Sequence, residues 1–258
     1  MTEVETKPGD DATELQAVEL QAIEQHLIEQ GFSREGGFGA VRWIGQRNGR
    51  AVELSVARQA RTRYAGEVRY RKQLGFVLNV RMATPIMTRL SFIRAGISQQ
   101  PWVRWIHRGF GRDQVDAAPA GLKGFCAVAA DRGWAERLLA DQRLTSVMPD
   151  LLAGQAAVGH KSASVQFNPG ELLYISPTLQ REDFTVERVQ PILDRLSDLA
   201  SVAEALPAPE QTSQLSSFER LGRENPRKLA WLIICGLFAA ILMSSAVLIG
   251  IALWFATR

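Results

Sequence analysis

Cysteine and histidine are scarce in this chain of 258 residues, which has two of the first and three of the second. Cys126 stands in the apolar run GFCAVAA and Cys235 in a long apolar stretch near the C-terminus, so we expect no disulfide between them. The three histidines are far apart in sequence, and none has a Cys or His at metal-ligand spacing. These absences favour a reducing compartment, with no metal site and no cofactor.

Charged side chains are absent from residues 229–255. A helix of that length would be roughly 40 Å long, against about 30 Å for the hydrocarbon core of a bilayer. Trp231 and Trp254 would then lie roughly 34 Å apart, which suits an aromatic belt at both interfaces. We therefore expect one transmembrane helix from Leu229 to Phe255, in contact with the lipid bilayer.

Basic residues crowd the N-terminal flank of this span. Arg220, Arg223, Arg227 and Lys228 precede it, and only Arg258 follows it. The positive-inside bias keeps the preceding domain in the cytoplasm. The first eleven residues are acidic and lack the apolar core of a signal peptide. We expect a single-pass tail anchor in a bacterial inner membrane.

Small residues recur every four positions within the span, at Gly236, Ala240 and Ser244. A stripe of this kind lets two membrane helices approach closely. It would support a homodimer through the transmembrane helix, although small residues are common in membrane helices in any case.

The rest of the chain is divided by charge. Residues 1–36 have nine acidic side chains against two basic ones, whereas residues 38–112 have fifteen basic against two acidic. A basic block of this size calls for an acidic counterpart, which is another part of the fold, anionic lipid, nucleic acid or an acidic protein. The candidate contacts within the block are Arg61, Arg63, Arg69, Arg71 and Lys72.

Two turn signals predict β-hairpins. Alternating segments flank Asn48-Gly49, the strongest short hairpin signal, and a second pair flanks the turn at residues 168–170. Residues 75–84 predict a further strand, and the intervening RYAGEVRYRKQ is a strand or an ordered loop.

Helical periodicity appears in three places. Residues 12–32 predict an amphipathic helix, residues 131–144 a helix with Asp131 as N-cap, and residues 185–206 a helix near the end of the domain. Because strands and helices are grouped rather than alternating, the predicted fold is α+β, with antiparallel β-hairpins and packed helices. The expected organisation is a disordered acidic N-terminus at 1–11, a cytoplasmic α+β domain at 12–206, a linker and basic juxtamembrane segment at 207–228, and the span at 229–255.

The order of these segments resembles a group of uncharacterised bacterial membrane-anchored proteins. The segments are RNGRAVELSV, RYAGEVRYRKQLGFVLNV, GFCAVAADRGWAERLLADQ, ELLYIS and a final helix ending ASVAEALP. Such proteins carry an α+β domain of this kind beside one or more membrane spans. The resemblance covers roughly residues 12–207, implies membrane association and transfers no catalytic residue.

The segment PWVRWIHRGF, residues 101–110, predicts a short amphipathic helix. Trp102, Trp105 and Phe110 fall in one arc, and Arg104 and Arg108 fall in the opposite one. This is the composition of a helix in a membrane interface, and equally of a helix packed on a sheet. These five residues are therefore further candidate contacts with anionic lipid headgroups or another anionic partner.

No arrangement of residues indicates catalysis. The glycine-rich GGFGAVRW follows a helix and opens a strand, which is the reverse of a dinucleotide-binding loop. Cys126 has no charged neighbour that would activate its thiol. We expect a binding or scaffold domain whose basic face contacts anionic lipid or an acidic protein. The alternatives left open are a membrane-tethered nucleic-acid-binding protein and an uncharacterised enzyme.

Overall fold

The structure, a computed structural model, falls into two compact units, Met1–Ser213 and Gln214–Arg258. The first unit combines one large antiparallel sheet with helices, so the predicted α+β class is confirmed. The residues that the structure describes are 21–36, 40–65, 68–94, 113–115, 125–152, 163–180 and 183–214, with isolated positions between 220 and 244.

The strands of the first unit form a single sheet in which every neighbouring pair is antiparallel. They are β1 (Ser33–Gly36), β2 (Ala40–Arg47), β3 (Arg50–Ala65), β4 (Val68–Ala83), β5 (Leu90–Arg94), β6 (Asp113–Val115), β7 (Phe125–Ala129), β8 (Ser164–Asn168) and β9 (Glu171–Ile175). Their order across the sheet is β1-β2-β3-β4-β9-β8-β5-β7-β6. The hairpin β8–β9 therefore inserts between β4 and β5, and β5 is not the neighbour of β4.

The helices begin and end near the predicted places, with one difference. Asp131 caps its helix as predicted, but the helix ends early, because Asp141 starts a second one by accepting a hydrogen bond from the Arg143 backbone N–H at 2.9 Å. The helices are α1 (Gln21–Glu29), α2 (Arg132–Ala140), α3 (Gln142–Leu152) and α4 (Val186–Glu204). Residues 12–20 of the predicted first helix lie outside the described residues.

Both predicted hairpin turns are confirmed. Asn48 and Gly49 have φ of 50° and 75°, the left-handed conformation that a two-residue turn between β2 and β3 requires. Gly170, with φ of 80°, closes the β8–β9 turn after a proline. The segment RYAGEVRYRKQ, for which the sequence allows strand or loop, is strand in both arms, at the adjoining ends of β3 and β4.

One face of the sheet carries the core. Along β3, Val52, Leu54 and Val56 are at most 1% exposed, whereas the residues between them are half-buried. This alternation turns every second side chain toward the helices, of which α4 packs against β4 and β9. Trp134 of α2 lies edge-on to Phe167 of β8, with ring centroids 5.6 Å apart.

The segment after α4 remains attached to the first unit. The Gln211 backbone N–H donates to the Asp131 carboxylate at 3.0 Å, and the Ser213 backbone N–H donates to the Met87 carbonyl at 2.7 Å. Pro209, which lies between the end of α4 and Gln211, is buried. Residues 207–213, which we call the strap, therefore belong to the domain rather than to a linker. Met87 lies just after β4, so the chain leaves this unit at that end of the strand.

In the second unit, the described positions of the expected span are helical, including Trp231, Gly236 and Ser244. Among the residues that the structure describes, no helix is long and apolar enough to cross a membrane. Most of residues 229–255 lie outside that set, including Leu229, Ala240, Trp254 and Phe255.

Candidate functional site, an extended basic ribbon

The hairpin formed by β3 and β4 extends beyond the rest of the sheet. The two strands pair from Val52–Met82 to Ala65–Val68. However, β2 accompanies β3 only as far as Ala57, and β9 accompanies β4 only from Asn79 onward. Within the described ranges, residues 60–65 and 68–73 pair only with each other. We call these two segments the ribbon, which is roughly 20 Å long at 3.4 Å per residue.

The ribbon contains all five basic candidates that were predicted from this part of the sequence. Neither of its two segments contains an acidic residue, and Glu67 lies between them in the sequence. The backbone register places Arg61 opposite Lys72 and Tyr64 opposite Arg69. Because opposed residues share a face and successive residues alternate, basic positions occur on both faces of the ribbon. The remaining opposed pairs are Thr62–Arg71 and Arg63–Tyr70.

A sharp irregularity marks where the ribbon leaves the sheet. The register shifts between Gln59 and Ala60 of β3, and Gly75 of β4 has a φ of +136°. The backbones of Phe76 and Leu179 bond to each other twice, each N–H donating to the other carbonyl at 2.8 Å. A Cβ on Gly75 would lie 2.2 Å from the Leu179 carbonyl oxygen, so only glycine lets these two segments approach.

Side chains at this point hold the base of the ribbon in place. The Arg58 guanidinium carbon lies 5.9 Å from the centroid of the Phe76 ring, and that ring lies 6.3 Å from the ring of Phe184. The Gln180 side chain donates to the Leu74 carbonyl at 3.0 Å. The ribbon therefore extends from a packed base.

Arginines of β2 and of the start of β3 have acidic partners within the domain. Arg50 of β3 makes a two-point contact with Glu204 of α4, with nitrogen–oxygen distances of 3.1 and 2.6 Å. This hydrogen bond raises the pKa of Arg50 and lowers the pKa of Glu204. The other pairs are Arg42 with Glu53 at 3.2 Å and Arg47 with Asp194.

The first two parts of the basic block thus differ. Its first arginines are balanced by acids of β3 and α4, and its middle part forms a ribbon without acidic residues on its strands. Sequence reasoning did not find this division, because Arg47 and Arg50 are each roughly 150 residues from their α4 partners. The signal in the sequence that could have indicated these ion pairs is the mixture of acidic and basic residues along residues 186–204.

The remaining interface candidates cannot be placed on this surface. Trp102, Arg104, Trp105, Arg108 and Phe110 lie outside the described residues. Over the part of the chain that is described, no group of three His, Cys, Asp or Glu side chains lies close enough to hold a metal ion.

A cavity of about 320 Å³ lies elsewhere in the domain, where α3, α4 and β9 meet. Its polar lining includes Asp150 and Arg195, which form an ion pair, and the rim residue Arg188, which pairs with Asp183 at 2.6 Å. Tyr174 lines it from β9, and burial raises the pKa of this residue to about 12, although the charge of Arg188 acts in the opposite direction. Its charged lining residues are two acids and two arginines, Asp150, Glu187, Arg188 and Arg195, so the cavity has no net charge comparable with that of the ribbon.

Comparison with known proteins gives little beyond this geometry. No family model matches the chain. No curated protein matches it either. Among solved structures, it is similar to the crystal structure of the mycobacterial trehalose monomycolate transport factor A, TtfA, at 12% identity and a TM-score of 0.44. That alignment covers 75% of this chain and 98% of the other. A likeness this distant carries no argument about function, so the ribbon itself is the basis for a functional proposal.

Proposed function

We propose that this protein is a single-pass bacterial membrane protein, anchored by residues 229–255, whose cytoplasmic domain binds an anionic partner through the ribbon. The observation that carries the binding function is the concentration of five basic residues on the two ribbon segments, which contain no acid and extend beyond the neighbouring strands. The role is binding or scaffolding rather than catalysis.

The anchor is supported by composition and exposure. Residues 229–255 carry no charge, and several of their described side chains are exposed, among them Trp231 at 68%, Phe238 at 65% and Met243 at 69%. Exposed large apolar side chains at this density indicate a membrane or protein contact. Arginine at the centre of a span costs about 2.5–3.5 kcal/mol per residue. The double variant Ile241→Arg, Leu242→Arg should therefore release the full chain from membranes in carbonate extraction, and its retention there would contradict the anchor.

An acidic protein is the partner that we propose for the ribbon. The strap ends at Ser213, bonded beside the C-terminal end of β4, whereas the ribbon occupies the N-terminal end of that strand. The sixteen residues of β4 span roughly 50 Å. Ser213, the last residue of the first unit, and the ribbon therefore lie at opposite ends of β4. Anionic lipid headgroups are the alternative partner, and the experiment described below compares the two.

Nucleic acid is the second candidate, and the shape of the ribbon favours it. Two-stranded β-ribbons fit the major groove of duplex DNA, and aromatic residues among basic ones are typical of single-strand binding. Tyr64 and Tyr70 each lie opposite an arginine in the ribbon register. The acidic composition of residues 1–36 opposes this candidate.

The experiment that tests the ribbon uses the full chain in neutral-lipid nanodiscs. Labelled poly-L-glutamate, a labelled DNA duplex and a labelled single strand are titrated separately, and anionic-lipid nanodiscs are compared by hydrogen exchange of the ribbon amides. We expect poly-L-glutamate to bind and to protect residues 60–65 and 68–73. Protection by anionic lipid or preferential DNA binding would reassign the partner, and binding of none would refute the proposed function.

A matched pair of variants shows whether binding depends on the ribbon. The triple variant Arg61→Gln, Arg63→Gln, Arg71→Gln removes three charges from it. The control removes three charges from exposed arginines that pair with acids elsewhere, namely Arg143, Arg188 and Arg195. We expect the first variant to lose most of its affinity and the second to retain it. Equal losses would show that overall charge, rather than the ribbon, attracts the probe.

A further inference from the structure

The ribbon is an unfavourable arrangement without a counter-charge. A two-stranded ribbon alone is marginally stable in water, and like charges directly opposite each other destabilise a strand pair. Arg61 lies opposite Lys72, and within the described ranges no third strand adjoins either ribbon segment. An acidic segment lying along the ribbon would neutralise this charge.

The chain itself contains a segment of the required charge. Residues 1–20 carry six acidic side chains and one lysine, whereas residues 60–73 carry five basic side chains and one acidic one, Glu67. The acidic segment joins the described fold at Gln21, the first residue of α1.

The orientation of α1 directs that segment toward the ribbon. Near the C-terminal end of α1, Gln30 accepts a hydrogen bond from Arg47 at 3.1 Å, beside the β2–β3 turn. Further toward the N-terminus, Glu24 pairs with Arg34 at 2.9 Å. Arg34 lies opposite Trp43 of β2, which in turn lies opposite Leu54 of β3. Arg47 lies opposite Arg50, so the Arg34 contact is four residues closer to the ribbon along β3. Read from its C-terminus to its N-terminus, α1 therefore runs along the sheet toward the ribbon.

The distances are within reach of the segment. Gly36, the last residue of β1, pairs with Val41, which pairs with Val56 of β3. The ribbon begins four residues beyond Val56 along β3, roughly 14 Å away. The eleven residues that precede the predicted helix can span up to about 36–40 Å when fully extended. Residues 1–20 can therefore reach the ribbon without any rearrangement of the sheet.

We propose that the acidic segment 1–20 binds the ribbon of its own chain and competes there with the external partner. This inference rests on the proposed function, since it takes the ribbon as the binding surface. Being tethered, the segment is present at an effective concentration that can reach millimolar. An external acidic partner must displace it, which makes the segment an autoinhibitor of ribbon binding.

The test compares full-length variants in neutral-lipid nanodiscs by fluorescence anisotropy with labelled poly-L-glutamate. The N-terminal variant carries Glu3→Gln, Glu5→Gln, Asp10→Asn and Asp11→Asn. The control neutralises the same number of acids elsewhere, through Glu29→Gln, Glu136→Gln, Glu187→Gln and Asp198→Asn. We expect the N-terminal variant to bind the probe at least about fivefold more tightly than the control, which is the lower range of allosteric coupling.

Hydrogen exchange without any probe gives an independent readout. In the N-terminal variant, the amides of residues 60–65 and 68–73 should exchange faster than in the unmodified chain, because the competing segment no longer covers them. Unchanged exchange together with unchanged affinity would overturn the inference. If the ribbon variant loses probe binding while the N-terminal variant behaves as the unmodified chain, the proposed function stands and only the autoinhibition is refuted. If no variant binds the probe, the proposed function fails, and the exchange comparison alone decides the intramolecular contact.

Discussion

The carboxylate of Asp131 joins two parts of the chain that are 80 residues apart. One oxygen accepts the Trp134 backbone N–H at 2.9 Å and so caps α2, and the other accepts the Gln211 backbone N–H at 3.0 Å and so holds the strap. Asp131 is only 5% exposed. A residue that is recognisable in the sequence as a helix cap is therefore also the attachment point of the segment that leads out of the domain.

Asp131→Asn should release the strap while keeping the helix cap. Asparagine caps a helix about as well as aspartate, but its amide nitrogen cannot accept the Gln211 N–H. We expect a loss of about 1.5–3 kcal/mol in the free energy of unfolding, the usual value for a hydrogen bond to a charged group. Amide exchange at residues 211 and 213 should rise. Asp141→Asn, at a cap that does not contact the strap, is the control, and equal strap exchange in the two variants would contradict this role.

The same carboxylate predicts how stability depends on acid. Burial raises the pKa of Asp131, but hydrogen bonds from the backbone N–H groups of Gln211, Trp134 and Glu210 outweigh it, and the pKa lies below its ordinary value. Its contribution is therefore present above the unfolded pKa of about 4 and is lost as the pH falls through the lower folded pKa. Denaturant unfolding at several pH values should show the difference between the unmodified chain and Asp131→Asn shrinking below about pH 4. A difference in unfolding free energy that does not change with pH would show that the charge of Asp131 makes no contribution.

Gly75→Ala should disrupt the base of the ribbon. The added Cβ would meet the Leu179 carbonyl oxygen at 2.2 Å, at a φ of +136° that an L-residue rarely adopts. We expect a loss on the order of 3 kcal/mol, with faster exchange at Phe76 and Leu179. Gly36→Ala, where the new Cβ meets no heavy atom within 4 Å, should change stability by less than about 0.5 kcal/mol. A tolerated Gly75→Ala would show that the contact with Leu179 is dispensable.

The Arg50–Glu204 pair should contribute more than a surface pair does. Both side chains are mostly covered, at 17% and 23% exposed, and they meet at two points. A double-mutant cycle with Arg50→Gln and Glu204→Gln should give a coupling of about 1–2 kcal/mol. The exposed Arg132–Glu136 pair should give about 0.3–0.5 kcal/mol in the same measurement. Equal couplings would mean that the hairpin is not held to α4 by this contact.

Tyr174 predicts a loss of stability in alkali. Burial raises its pKa to about 12, so the folded state holds the phenol proton after the unfolded state has released it. This contribution is complete below the unfolded pKa of about 10 and is lost as the pH rises through the folded value, for a total of about 3 kcal/mol. Tyr174→Phe should remove that part of the dependence in chemical unfolding between pH 9 and 12. If the pH dependence of the unfolding free energy is the same in Tyr174→Phe, a group other than Tyr174 causes it.

Local signals in the sequence predicted local structure well. Asn48-Gly49 specifies a left-handed turn through its own backbone preferences, and Asp131 caps α2 through the nearest N–H groups, so neither requires knowledge of distant residues. The break at Asp141 was missed because the apolar periodicity continues across it into α3. The strap was missed because its residues are polar, proline or alanine, and its bonds go to residues far away in the chain.

Long-range pairing explains the rest of the difference. Insertion of β8–β9 between β4 and β5 depends on contacts across roughly a hundred residues, which hydrophobic patterns do not encode. The sequence does not decide between strand and loop for the ribbon, because the ribbon lacks the apolar alternation that a half-buried strand shows. Its five basic residues are nevertheless predictable as a group, since charge density needs no knowledge of the fold.

The course of β4 has a mechanical consequence. This one strand runs from the ribbon, through the irregularity at Gly75, to Ala83, four residues before Met87. A pull on the ribbon along its own axis, with the rest of the domain held, would load β4 along its length, in shear against the hydrogen bonds of β9, rather than opening them one at a time. Resistance to such a pull is governed by the rate of unfolding. We expect the force-bearing element of this domain to be the strand that also presents its binding surface.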